Sequence, residues 1–107
     1  MTKLVIRNRQ GGKTLAMMEW AHGALKDGIT PAIVTISEPE ARRVRKLYEE
    51  KYGVEVERVR FMSHGQARNG SLDGRHTKIG VDNLDMLLRH LFGYPVDIAT
   101  FTYEANT

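Results

Sequence analysis

The residues best suited to chemistry are Gly12-Lys13-Thr14, at the end of the polar run Arg7-Asn8-Arg9-Gln10-Gly11. A nucleotide phosphate loop is a glycine, four residues, then Gly-Lys-Ser/Thr. Arg7 stands where the leading glycine belongs, so the match is partial. The physics nevertheless suits phosphate. Glycines let successive backbone amides, here from Gln10, Gly11 and Gly12, point at one anion. A helix beginning at Lys13 adds its positive end and unpaired amides. On this reading the Lys13 ammonium bridges the terminal phosphates and the Thr14 hydroxyl ligates Mg²⁺.

A second feature supports the first. Asp82 closes the apolar run Thr77-Lys78-Ile79-Gly80-Val81. A carboxylate at a strand end is what a magnesium-bound triphosphate requires, holding the metal, its water or the threonine. Asp82 could also cap the helix that follows, a duty Asn83 fills equally well.

These residues need elements to position them. Leu4-Val5-Ile6 reads as a buried strand, and Leu15, Met18, Ala21 and Leu25 form the apolar stripe of a helix over Lys13–Lys26. Pro31–Ile36 reads as a second buried strand. Ser37-Glu38-Pro39-Glu40 predicts a capping box, the serine accepting from the Glu40 amide and Glu40 reaching back. The helix it opens places Ala41, Val44, Leu47 and Tyr48 on one face, with Gly53 as its stop. Val54–Phe61 alternates apolar and charged with one slip at Glu57-Arg58, and predicts a strand near an edge. Residues 62–76 read as a glycine-rich loop. Thr77–Asp82 is a short strand. Leu84, Leu87, Leu88 and Leu91 stripe a last helix, stopped by Gly93-Tyr94-Pro95. Val96–Tyr103 predicts a final strand. The order β-α-β-α-β-β-α-β predicts a three-layer α/β/α (Rossmann-like) fold with a mostly parallel sheet of about five strands. Ligands of such sheets bind at the carboxyl ends of the strands, where Thr14 and Asp82 fall.

Composition narrows the class. The 107 residues fit a single domain (1–107) of ordinary hydrophobicity, 41% apolar and 27% charged. No apolar run nears the roughly 18 residues of a membrane helix, and Leu4–Ile6 is too short for a secretory leader. With no cysteine, a disulfide framework is excluded, and a cytoplasmic location is expected. Net charge is +3, and arginine outnumbers lysine ten to six. Residues 1–37 carry five basic and two acidic side chains, residues 81–107 one and four. The four histidines show no metal spacing. Trp20 falls off the α-helical stripe, beside the core or toward a partner. Arg42, Arg43, Arg45 and Lys46 suit DNA contact or, the favoured expectation, pairing along their helix with Glu38, Glu49 and Glu50, leaving Arg68 and Arg75 as the better nucleic-acid or trans-acting arginines.

Asn8-Arg9-Gln10-Gly11-Gly12-Lys13-Thr14 resembles the deviant Walker A motif of bacteriophage terminase large-subunit ATPases. Leu72–Asp82 is similar to the glycine-arginine loop and Walker B strand of the same group. The element order is that of the additional-strand P-loop ATPases, so the resemblance implies a minimal P-loop domain, a small phage-encoded relative without the nuclease domain. It implies that Lys13 and Thr14 serve phosphate and Mg²⁺, that Asp82 is the Walker B aspartate, and that Arg9 senses or stabilises the γ-phosphate. Thr100 and Thr102 fall where related ATPases carry a polar sensor, although both also suit an ordinary strand. The family's glutamate after the Walker B aspartate is replaced by Asn83, whose amide orients water but cannot take its proton. Asp85 is rotated away by a helical turn, and Glu38 is the remaining candidate base.

The leading expectation is binding of ATP or another nucleoside triphosphate with Mg²⁺, with slow hydrolysis, in a phage DNA-related process in the host cytoplasm. A homo-oligomer with its site between subunits, or a protein or DNA partner, fits the small size. Two alternatives stand beside it: a nucleotide-dependent interaction module without turnover, and a DNA-binding accessory protein using the basic loop.

Overall fold

The computed structural model describes residues 12–71 and 77–100. The expectations for Leu4–Ile6, Arg7, Arg9, Gln10, Gly11, Arg75 and Thr102 lie outside the described residues.

Helix α1 (Lys13–Lys26) leads to strand β1 (Thr30–Thr35), helix α2 (Glu38–Tyr52), strand β2 (Arg60–Ser63), a single helical turn α3 (His64–Gln66), strand β3 (Thr77–Val81) and helix α4 (Leu84–Phe92). The sheet is parallel throughout, in the order β2-β1-β3. Among the described residues it has three strands rather than five. The chain class is α/β, as expected, with a smaller sheet.

Alternation along β1 sorts the layers. Ile33 joins Met18, Ala21 and Leu25 of α1 and Val44 and Tyr48 of α2 in the main core. Ala32 and Val34 face the other way, packing with Met62. There Leu87 and Leu91 of α4 border an apolar cavity of about 390 Å³ together with Val34, Ile79 and Val81. Helices therefore lie on both faces. Leu15, expected in the α1 stripe, is instead exposed, and Ala24 is buried in the same helix. Leu91 is likewise exposed at 47%.

The capping box before α2 is half made. The Glu40 amide donates to Ser37 Oγ at 3.2 Å. The Glu40 carboxylate, however, accepts from Arg43. Arg45 pairs with Glu57 at 3.0 Å, so Arg43 and Arg45 choose Glu40 and Glu57 rather than Glu38, Glu49 and Glu50. A full box forms one strand later: Ser63 Oγ accepts from the Gln66 amide, and Gln66 Oε1 from the Ser63 amide. The segment read as a loop from residue 62 thus begins with the end of β2 and a capped turn.

Val54–Phe61 is the main correction: only Arg60 and Phe61 lie in a strand, β2, which is at an edge of the described sheet as expected. Gly53 (φ 69) ends α2, and Gly53–Arg58 continues as a 3₁₀ segment. Its three-residue period buries Val56 and Val59 while Val54 is 91% exposed. The slip at Glu57-Arg58 is the point where alternation gives way. At the far end, Val96–Thr100 forms no strand, and its side chains are exposed.

Candidate functional site

The described part of the proposed loop begins at Gly12, which holds a left-handed conformation (φ 78) at the start of α1. Only glycine adopts it without a steric cost. Among the described residues no side chain caps this helix, and its first turn holds no acidic residue. Lys13 occupies the first helical position, where its charge opposes the helix dipole. An anion at this end would offset that charge and accept from the first-turn amides.

Thr14, one residue on, reaches the end of β3. Its Oγ1 donates to Asp82 Oδ2 at 3.4 Å, a long hydrogen bond between residues 68 apart in sequence. Asp82 is held by backbone as well, its amide donating to the Val34 carbonyl at 3.0 Å. It is only 3% exposed. Burial pushes its carboxyl above the ordinary aspartate range. The Thr14 hydrogen bond and the positive charges of Lys13 and Arg43 oppose this, while Glu40 adds to it. Thr14 and Asp82, named from sequence alone, therefore meet at the carboxyl edge of the sheet, and the charge of Lys13, beside Thr14 in the chain, bears on Asp82.

The donor chemistry fits magnesium. A hydroxyl and a carboxylate are hard oxygen ligands, and neighbouring ligands of an octahedral Mg²⁺ stand about 3 Å apart. Among the described residues no group of three or more His, Asp or Glu side chains converges on a metal position. The remaining ligands would be phosphate oxygens and water, the usual arrangement for Mg²⁺.

A buried, destabilised carboxylate has a measurable consequence. Because its folded-state pKa is raised, the folded protein binds the proton more readily, and stability falls as pH rises through that pKa. Asp82→Asn is expected to raise the melting temperature of the nucleotide-free protein at neutral pH. The gain should shrink to nothing as the pH drops below the ordinary aspartate range. A scanning-calorimetry series from acid to neutral pH checks this, and a lower melting temperature at neutral pH would contradict it.

Asn83 starts α4 in the left-handed conformation (φ 55, ψ 55), with no side-chain cap hydrogen bond. It was expected as a capping side chain, but what it supplies is backbone geometry. Asparagine tolerates this conformation better than most residues. Asn83→Ala is expected to cost about 1–2 kcal/mol of stability and Asn83→Gly much less, read by urea unfolding. Equal losses for the two would rule out the conformational explanation.

Other candidates separate from the site. Glu38 and Asp85 are exposed. Arg68 lines the apolar cavity with His64, and Thr100 is exposed in irregular chain. That cavity opens on the α4 face and its apolar walls do not suit a polyanion. Trp20 is half-buried against the core, over Gly80. Three histidines do find partners. His22 Nδ1 lies 2.7 Å from Glu55 Oε1, which also accepts from Tyr48, and the His64 and His90 rings meet edge to face at 5.3 Å. Burial favours the neutral form of Glu55, yet the hydrogen bonds from His22 and Tyr48 prevail and hold its pKa low. Burial, then the Glu55 bond, drives the Tyr48 phenol well up.

Sequence reading missed Glu40 and Arg43, both assigned to helix capping or pairing. The signal was position: they follow β1 at the same sheet edge that β3 ends on. Comparisons with protein-family models, curated proteins and solved structures gave no match. Among the described residues no helix is long and apolar enough to cross a membrane.

Proposed function

We propose that the protein binds a nucleoside triphosphate, ATP in the first instance, with Mg²⁺ at the start of α1. The observation that carries this reading is the Thr14–Asp82 hydrogen bond. It joins the hydroxyl of a Gly-Lys-Thr sequence to a buried strand-end carboxylate, the pair a magnesium triphosphate needs. A helix start with no side-chain cap among the described residues, and with Lys13 as its first residue, supports it. The phosphate would take Lys13 and the first-turn amides. The metal would take Thr14 and Asp82, with Arg9, Gln10 and Gly11 completing the loop. Bound Mg²⁺ would draw charge from the β- and γ-phosphates. The resemblance to phage terminase ATPases rests, among the described residues, on Gly12-Lys13-Thr14 and Asp82. From it come the proposed phage DNA-related role and an oligomer or partner completing the site.

A second reading, a nucleotide-dependent interaction module, is favoured by Asn83. Its left-handed backbone suits asparagine and not the glutamate that would polarise water. Calorimetric titration with Mg-ATP tests the binding reading. The wild type should bind, and binding should require Mg²⁺ and Lys13. A wild type that takes up no nucleotide would end it.

A further inference from the structure

The site has two helix starts at one sheet edge. The register pairs Val34 with Val81, and the Asp82 amide continues that ladder to the Val34 carbonyl. The chain leaving β1 therefore enters α2 beside Asp82. Its entry is pinned: Thr35, 1% exposed, donates through Oγ1 to the Ser37 carbonyl at 2.8 Å, and Ser37 Oγ accepts from the Glu40 amide. Glu40 is thus fixed in the first turn of α2, and its carboxylate accepts from Arg43 Nε at 2.8 Å and from Nη2. Both charges bear on Asp82, Glu40 raising its pKa and Arg43 lowering it.

Resting on the nucleotide-binding reading above, we propose that Glu40 is the general base that Asn83 cannot be, and that Arg43 holds it until phosphate arrives. Asp82 is committed to Thr14 and the metal, and Asn83 cannot accept a proton. Glu40 is a carboxylate at the same edge whose partner can be exchanged. The γ-phosphate bears more charge than a carboxylate and has oxygens for a bidentate guanidinium contact. It draws Arg43 away and leaves Glu40 free to accept from water. The water oxygen then bonds to the γ-phosphorus while its proton passes to Glu40. The bond from the γ-phosphorus to the β–γ bridging oxygen breaks, with its electron pair leaving on ADP. Inorganic phosphate or solvent afterwards takes the proton from Glu40. Arg43 offsets charge on the transferring group.

The test uses the full chain as wild type, Glu40→Gln, Glu40→Asp, Arg43→Ala and Lys13→Ala, with Mg-ATP calorimetry, phosphate release and circular dichroism in parallel. Glu40→Gln keeps the backbone cap. It should bind Mg-ATP within about threefold of wild type while turnover falls by about a hundredfold or more. Glu40→Asp should retain part of the activity, and Arg43→Ala should weaken ATP binding more than ADP binding. Wild-type turnover in Glu40→Gln, with binding lost only in Lys13→Ala, overturns the role of Glu40 and leaves nucleotide binding standing. A wild type that binds but releases no phosphate overturns it as well. Unchanged affinity in Lys13→Ala overturns the binding reading instead.

Discussion

Lys13→Ala is expected to lower Mg-ATP affinity by about ten- to a hundredfold or more, the loss of one or two charge-assisted hydrogen bonds to phosphate at about 1.5–3 kcal/mol each. The ammonium has no equivalent nearby on α1, whose first turn is Lys13-Thr14-Leu15-Ala16. The fold should tolerate the change. Lys13 is only half-buried, and at the first helical position its charge works against the dipole, worth about 0.3–1 kcal/mol. It also favours the ionised form of Asp82, so the two effects on the free protein oppose each other. Binding and stability should therefore come apart: a large loss by calorimetry with little change in unfolding free energy. Equal affinities for variant and wild type would remove phosphate from the account of this helix start.

The largest stability effect is expected at Gly80. Its backbone is not in the left-handed region, so conformational freedom is not the reason for glycine. The reason is approach: a Cβ there would stand 2.5 Å from Met17 Sδ and 2.9 Å from Trp20 Cζ3. Gly80 lies opposite Ile33 across the β1–β3 pair, on the face that α1 covers. Gly80→Ala is expected to cost about 1–3 kcal/mol and Gly80→Val the upper end of that range or more, as overpacking does. The sign is informative, because glycine to alanine within a strand otherwise gains about 0.5–1 kcal/mol. Met17 can swing its sulfur aside, whereas the Trp20 ring has less freedom. The consequence reaches the site, since α1 carries Thr14 and β3 leads to Asp82. Pushing the two apart lengthens an already long hydrogen bond, and nucleotide affinity should fall with stability. Urea unfolding and calorimetry on the same variants check both, and a Gly80→Ala protein as stable as wild type would refute the close-packing argument.

Apolar patterning made α1, α2, β1, β3 and α4 legible from sequence: each helix buries one face that repeats with the helical period, and the strands are short apolar runs, β1 buried on both faces. Val54–Phe61 misled for the same reason. Its valines suit a strand, but Gly53 turns the chain out of α2 and Tyr48, Phe61 and the core of α1 offer burial to Val56 and Val59, which a three-residue turn delivers. Ser63-His64-Gly65-Gln66 carried a readable capping signal that the surrounding glycines obscured.

The site divides along the same line. Residue type and local order alone singled out Lys13, Thr14 and Asp82, because a phosphate loop and a strand-end carboxylate are local patterns set by backbone geometry. Which groups share their space is a matter of register and packing, and these are non-local. Only the pairing of β1 with β3 brings Asp82 within reach of Thr14. Only the turn from Thr35 through Ser37 delivers Glu40 and Arg43 to that edge, where Glu38, two residues earlier, stays in solvent. Only the contact of Met17 and Trp20 with a side-chain-free position on β3 sets how closely the start of α1 approaches Asp82.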